Sequence, residues 1–236
     1  MGWKQAGELT TSIVERDFEI EVDGRPVPGL YWIPAEGDPD RLVLLGHGGT
    51  NDKRVDYLQE VAQLLAAKGI GAMAIDGPGH GDRLIEVPES DPDRLHKMWT
   101  GGGGTEGMLA DWRAALDFIE AEVGALPTGW WGLSMGTMMG LPVTATDSRI
   151  RVAVLGLMGT WGPNADDLAR FAPEVECPLR FLVQWDDEVV PREACLDLFS
   201  LLGSKKRTLH ANPGRHADVP SFEMSASVEY LDRYLK

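Results

Sequence analysis

The sequence predicts an α/β fold with a mostly parallel sheet, a leading antiparallel hairpin and helices on both faces. Three observations carry that expectation. Two alternating runs, Phe18 to Val22 and Val27 to Ile33, flank Asp23-Gly24, and Asp-Gly supplies the positive φ that a two-residue hairpin turn requires. Beyond them, continuous apolar runs alternate with segments of helical spacing, as parallel strands buried on both faces alternate with their crossover helices. The length of 236 residues suits one large α/β domain, residues 1–236, better than two small ones.

Each later element follows from composition and spacing. Leu42 to Leu45 is a buried strand. Residues Val55 to Lys68 place Leu58, Val61, Ala62, Leu64 and Leu65 at helical intervals, and Lys68-Gly69 closes that helix with a basic last turn and a glycine. Ile70 to Ile75 is the next strand. Asp82 to Gly104 is a turn-rich insertion that ends in four glycines and reads as a flap. Thr105 to Val123 is a helix, Trp130 to Gly132 the end of a strand, and Ser134 to Thr146 a helix. Val152 to Leu157 (strand), Ala165 to Phe171 (short helix) and Leu179 to Gln184 (strand) follow. Arg192 to Leu201 is a helix, Lys206 to His210 a strand, and Phe222 to Leu235 a closing helix. Only Met158 to Asn164 separate a strand from the short helix after it, which leaves no room for a cap domain there.

Composition bounds the partners. A formal net charge of −15 argues against nucleic acid and against anionic membrane surfaces, both of which recruit basic patches. No stretch approaches the roughly 18 apolar residues needed to span a bilayer. Lys4, Glu8, Glu15, Arg16 and Asp17 interrupt the first twenty residues, so no signal-peptide core is present there. Cys177 and Cys195 lie in unrelated surroundings and suggest neither a metal motif nor a disulfide framework. A cytoplasmic protein is expected, with Cys177 a small buried hydrophobe.

The chemistry gathers around Gly132-Leu133-Ser134-Met135-Gly136. This is G-x-S-x-G, in which a serine sits on a sharp turn from strand to helix. In a parallel sheet the functional groups collect outside the carboxyl ends of the strands. Those ends deliver Gly46-His47-Gly48-Gly49, Asp76 to Gly81, Ser134, the run Trp185 to Pro191, and Pro213-Gly214-Arg215-His216. A serine nucleophile needs a neighbouring base. His216 lies in the loop after the last strand, where a base is required. His210 alternates within that strand and reads as structural, and His47 and His80 precede the acid, Asp186 or Asp187, and so have the wrong order. Both Asp186 and Asp187 are available to orient the imidazole. Trp99, Trp161 and Trp185 fall in loops on the same side and are candidates for an apolar pocket wall. Asp82 and Arg83 read first as a surface ion pair and second as substrate contacts. Gly102 to Met108 approaches the spacing of a phosphate loop, but Met108 stands where lysine is required.

The order Ser…Asp…His, with the segments GHGG, DGPGHGDR, GLSMG, WDDEVVP and PGRH, resembles the α/β-hydrolase superfamily. The resemblance spans nearly the whole chain, and within the superfamily it is nearest to small capless esterases and dienelactone-hydrolase-like members. It implies the α/β-hydrolase fold and a serine hydrolase of small or short-acyl carboxylic esters, working through an acyl-enzyme without metal or cofactor. By resemblance Asp187, a few residues before Val190-Pro191, is the acid, with Asp186 the alternative. The backbone N–H of Met135 and that of Gly49 would form the oxyanion hole, with Gly48 the near alternative to Gly49, while His47 orders their loop. Dienelactone hydrolases proper carry cysteine at the elbow, so Ser134 favours a simple ester. Other expectations are a lactone, thioester, amide or perhydrolysis reaction on the same residues, or a ligand-binding protein that keeps only the fold.

Overall fold

A computed structural model describes residues 2–10 and 13–236. The strands are β1 (Gly2–Thr10), β2 (Ile13–Val22), β3 (Arg25–Pro34), β4 (Arg41–Gly46), β5 (Ile70–Ile75), β6 (Thr128–Gly132), β7 (Ile150–Gly156), β8 (Leu179–Gln184) and β9 (Arg207–Asn212). The helices are α1 (Asp56–Ala66), α2 (Arg94–Gly101), α3 (Gly104–Val123), α4 (Met135–Thr146), α5 (Ala165–Phe171), α6 (Arg192–Leu201) and α7 (Ser221–Leu235). The strands form one mixed sheet in the order β1-β2-β3-β5-β4-β6-β7-β8-β9. Pairing is antiparallel from β1 to the β3–β5 contact and parallel from there to β9. The β2–β3 hairpin turns at Asp23 and Gly24, both at positive φ (51° and 73°), which matches the right-handed twist of the strands.

Three departures from the sequence expectation appear, the first two with local causes. β1 precedes the hairpin and pairs with β2 with register shifts; its composition, GWKQAGELT, has no apolar alternation to announce it. The 82–104 insertion contains α2, whose Leu95, Met98 and Trp99 recur at helical spacing. Cys177 is only partly buried, contrary to expectation. No large domain is inserted between β7 and α5.

The sheet divides the core into two layers. On one face Trp112 of α3 meets Trp130 edge-on, with ring centroids 4.6 Å apart. On the other, Leu58 and Val61 of α1 and Val228 and Leu231 of α7 share a cluster with Trp131. Trp130 and Trp131 are adjacent in β6, and the period of two sends them to opposite faces.

The central helix α4 has no solvent face over Met135–Thr144, and it contains Pro142. Proline has no N–H, so the carbonyl four residues earlier, on Met138, loses its helical donor. The buried side-chain amide of Asn164 replaces it, donating to Met138 O at 3.1 Å. Replacing that donor leaves a buried carbonyl unpaired, at a cost of about 1–3 kcal/mol. Asn164→Leu should therefore lower stability by an amount in that range, read from urea unfolding. In a Pro142→Ala background, where residue 142 regains its N–H, the same replacement should cost less. Equal costs in the two backgrounds would show that the Asn164 amide is not the stand-in donor.

Candidate active site

The turn from β6 into α4 holds Ser134 at φ 59° and ψ −121°, a conformation that costs a non-glycine residue about 1–3 kcal/mol. The surroundings impose it. Ser134 N–H donates to Gly156 O at 2.9 Å, and Thr137 Oγ1 accepts from Gly156 N–H at 2.7 Å while facing the Gly156 and Gly132 carbonyls at 2.7 and 3.0 Å. The flanking glycines are required by space. A Cβ on Gly136 would lie 2.3 Å from the Gly46 carbonyl oxygen, and one on Gly132 2.8 Å from the Gly136 oxygen. Both obstacles are backbone and cannot swing aside.

His216 comes to Ser134 from the loop between β9 and α7. Its Nε2 lies 2.9 Å from Ser134 Oγ and its Nδ1 lies 2.7 Å from Asp187 Oδ2. Asp187 is buried, and its other oxygen accepts from the N–H groups of Val189 and Val190, each at 2.8 Å. Its neighbour Asp186 faces away and is engaged elsewhere. Asp186 N–H donates to Gly214 O at 3.1 Å, and its carboxylate accepts from Gly214 N–H at 3.3 Å. Further ties fix the loop that carries His216. Glu188 accepts from His216 N–H at 3.0 Å, and the Gln184 amide donates to the carbonyls of Arg215 (3.1 Å) and Asp218 (2.9 Å).

The loop after β4 approaches from the other side. His47 is fully buried. Its Nε2 accepts from Gly77 N–H at 2.9 Å, so Nδ1 carries the proton and donates to Gly48 O at 2.8 Å. In a trans peptide the carbonyl and the following N–H point in opposite directions. Holding Gly48 O in this way therefore sets the direction of Gly49 N–H. Gly48 N–H itself donates to Tyr57 Oη at 2.6 Å. The N–H groups of Gly49 and Met135, in contrast, have no acceptor among the described residues.

A buried ion pair anchors the same loop. Lys53 donates through its backbone N–H to Asp76 Oδ1 (3.0 Å) and through Nζ to Asp76 Oδ2 (2.7 Å), and Nζ also reaches Asp82 at 2.8 Å. Burial opposes the Lys53 ammonium, but the two carboxylates outweigh it and hold its pKa above the usual lysine value. Asp82 thus pairs inward with Lys53. Arg83 pairs with the buried Asp111 at 2.7 Å and not with Asp82.

Two cavities meet at Ser134, His216 and Gly49. The larger, about 310 Å³, is walled by Leu95 and Trp99 of α2 and by Met138, Met158, Trp161 and Val190. The smaller, about 250 Å³, is walled by Tyr57, Trp131, Leu133, Leu157, Val219 and Met224. Trp99 belongs to a helix and not to a loop, and it and Trp161 line the larger cavity. Trp185 lines neither. It is half-exposed, with the Arg192 guanidinium 4.4 Å from its ring centroid, because the turn that points Asp187 inward leaves Trp185 on the outer surface. The sequence reading missed Leu95 and Met158 as wall residues. The signals were present: Leu95 stands four residues before Trp99 on α2, and Met158 follows the end of β7. Among the described residues no group of three or more His, Cys, Asp or Glu side chains is arranged to hold a metal ion. No helix among them is long and apolar enough to cross a membrane.

A sheet of this order, with a serine elbow, an acid and a histidine at successive strand ends, is the architecture of an α/β hydrolase. Residues 42–232 match the alpha/beta hydrolase family, and the chain belongs to it. It is similar over its full length to a cold-adapted esterase from an Arctic intertidal metagenomic library. That protein's PEG-bound complex shares 59% identity over 100% of both chains at a TM-score of 0.94, and its native structure 55% over the same extent at 0.89. An acetyl xylan esterase from Paenibacillus sp. R4 has the same fold at 20% identity, with 99% of this chain and 88% of that one covered at a TM-score of 0.76. Among curated proteins, none matches the chain.

Burial, above all, lowers the pKa of both His47 and His80, and takes that of His47 down to about 4. Between about 4 and the ordinary value of 6.5 the unfolded chain therefore binds protons that folded His47 does not. The contribution is full above 6.5 and is lost as pH falls towards about 4. Urea unfolding midpoints should fall across that window, and less steeply in His47→Gln. An unchanged slope in the variant would remove His47 from this account.

Proposed function

We propose that the chain is a serine hydrolase of carboxylic esters, with Ser134 the nucleophile, His216 the general base and acid, and Asp187 its orienting carboxylate. The observation that carries the proposal is the continuous relay from Asp187 Oδ2 to His216 (2.7 Å) and from His216 to Ser134 Oγ (2.9 Å). The similarity to the cold-adapted esterase supports the same activity.

The steps follow from the geometry. His216 Nε2 takes the Ser134 proton as Oγ attacks the ester carbonyl, and Asp187 stabilises the imidazolium while holding Nδ1–H towards itself. Negative charge develops on the former carbonyl oxygen, where the unpaired N–H groups of Met135 and Gly49 are the available donors. The imidazolium then protonates the leaving alkoxide. Water, activated by the same imidazole, releases the acid from the acyl-enzyme. The engagement of Gly48 N–H by Tyr57 supports Gly49 over Gly48 as the second donor. Small or short-acyl esters suit cavities of about 310 and 250 Å³, which lie at or below the low end for ligand pockets. We read the chain as one domain, 1–236, with residues 82–104 as a flap whose α2 walls the larger cavity. Two unpaired cysteines accord with a reducing, cytoplasmic setting, and the net charge of −15 with freedom from nucleic acid.

Ser134→Ala should lower kcat on p-nitrophenyl butyrate by roughly 10⁴- to 10⁶-fold and abolish labelling by a fluorophosphonate. Asp187→Asn should cost roughly 10⁴-fold, whereas Asp186→Asn should retain most turnover. Comparable losses in the two aspartate variants would reverse the assignment of the acid. Across acetate, butyrate and octanoate esters, kcat/KM should be lowest for octanoate; a preference for octanoate would overturn the short-acyl reading.

A further inference from the structure

Tyr57 touches both sides of the site yet takes no part in the relay at Ser134. It lies in the first turn of α1 and lines the smaller cavity with Gly48, Gly49, Trp131 and Ser134. Its oxygen accepts the Gly48 N–H at 2.6 Å, and its ring rests against that of Trp131, with centroids 6.2 Å apart. Trp131 belongs to β6, the strand that leads to Ser134. One side chain thus spans from the loop after β4 to the strand before the elbow. The helix α1 holds it there, because Leu58 and Val61 beside it are buried in the core.

The loop needs such a support. Gly48 and Gly49 stand in succession, and a pair without β-carbons has the widest choice of backbone conformation. Gly49 N–H belongs to the peptide that joins them, so its direction depends on how Gly48 is held. On the carbonyl side, Gly48 O accepts from His47 Nδ1 at 2.8 Å and from Asn51 N–H at 3.4 Å. On the amide side, Gly48 N–H has Tyr57 and no second acceptor among the described residues. With both ends of Gly48 tied, the glycine pair keeps one conformation.

We propose that Tyr57 is a positioning residue. By tying Gly48 N–H to the strand that leads to Ser134, it fixes Gly49 N–H at the distance from Met135 N–H that a tetrahedral oxyanion requires. This rests on the esterase reading above, with those two N–H groups as the oxyanion donors. Such donors work by being in place before charge appears. A loop free to shift therefore loses stabilisation of the oxyanion while its affinity for uncharged ligands stays.

The test compares two inhibitors of one carbon skeleton, pentyl methyl ketone and pentyl trifluoromethyl ketone. The first binds without reacting. With the second, Ser134 Oγ bonds to the carbonyl carbon, the serine proton passes to His216, and the carbonyl oxygen becomes an oxyanion. Tyr57→Phe removes the acceptor and keeps the ring. In that variant kcat/KM for p-nitrophenyl butyrate should fall roughly ten- to hundredfold, the scale of a misplaced group. Ki for the trifluoromethyl ketone should rise by a similar factor, while Ki for the methyl ketone stays within about twofold, since it places no charge on the donors. Gly48→Ala disturbs the same tie from its other end: Gly48 is not at positive φ, and an added Cβ would stand 3.2 Å from the Tyr57 oxygen. It should show the same selective loss, and should cost less in the Tyr57→Phe background than alone. Should Tyr57→Phe fail to fold, Gly48→Ala is judged by the same pair of ketones. A trifluoromethyl ketone Ki that does not rise would overturn the proposal, as would an equal rise for both ketones or full additivity of the two substitutions. Those outcomes leave the esterase reading standing, whereas no turnover of any ester by the unaltered protein would overturn both.

Discussion

The arrangement depends on one backbone contact, the approach of the first turn of α4 to the end of β4. Gly136 sits so near Gly46 that an added Cβ would fall 2.3 Å from its carbonyl oxygen. That closeness brings Met135, the residue after Ser134, to the same place as the loop carrying Gly48 and Gly49. It also explains why α4 is enclosed on every side and why its proline is tolerated. A helix pressed between sheet and neighbouring helices has no water to pair a lost hydrogen bond, so the protein supplies Asn164 instead.

Around that contact, polar groups are buried in closed sets. His47 bridges Gly77 and Gly48, and Lys53 joins its own loop to Asp76 through both backbone and side chain. Removing one partner from such a set leaves a buried charge or an orphaned dipole, which costs more than the bond itself contributes. The loop is therefore stiff without being apolar. The opposing loops are tied to each other as well as to the sheet, through Asp186 with Gly214 and Glu188 with His216. Preorganised donors of this kind do not have to reorient when charge appears.

Much of this was legible in the sequence, for identifiable reasons. Long-range order shows in buried parallel strands because both faces demand apolar residues; Ile70 to Ile75 and Leu179 to Gln184 stand out on that ground alone. The elbow was legible because steric demand leaves glycine little alternative at 132 and 136. What stayed hidden depends on direction more than on residue type. By residue type Asp186 and Asp187 are equivalent; only the resemblance, through the spacing to Val190-Pro191, favours Asp187, and the turn around them is what shows that it faces His216. Gly48 and Gly49 differ only through Tyr57, nine residues away on α1. Trp185 shares a composition with Trp99 and Trp161 but faces outward under Arg192. β1 and α2 lay below the threshold of periodicity, the first without alternation and the second only 8 residues long.

The division of the site into two chambers that touch at Ser134 has a consequence for traffic. On the proposed mechanism, an ester straddling Ser134 would place its halves in separate compartments, and acylation would empty only one of them. The acyl group stays lodged while the vacated compartment becomes the route by which the second reactant arrives. Both compartments have mainly apolar walls, so on that mechanism the water that completes the reaction crosses an apolar passage. The fate of the acyl group is thereby governed by the chamber it does not occupy.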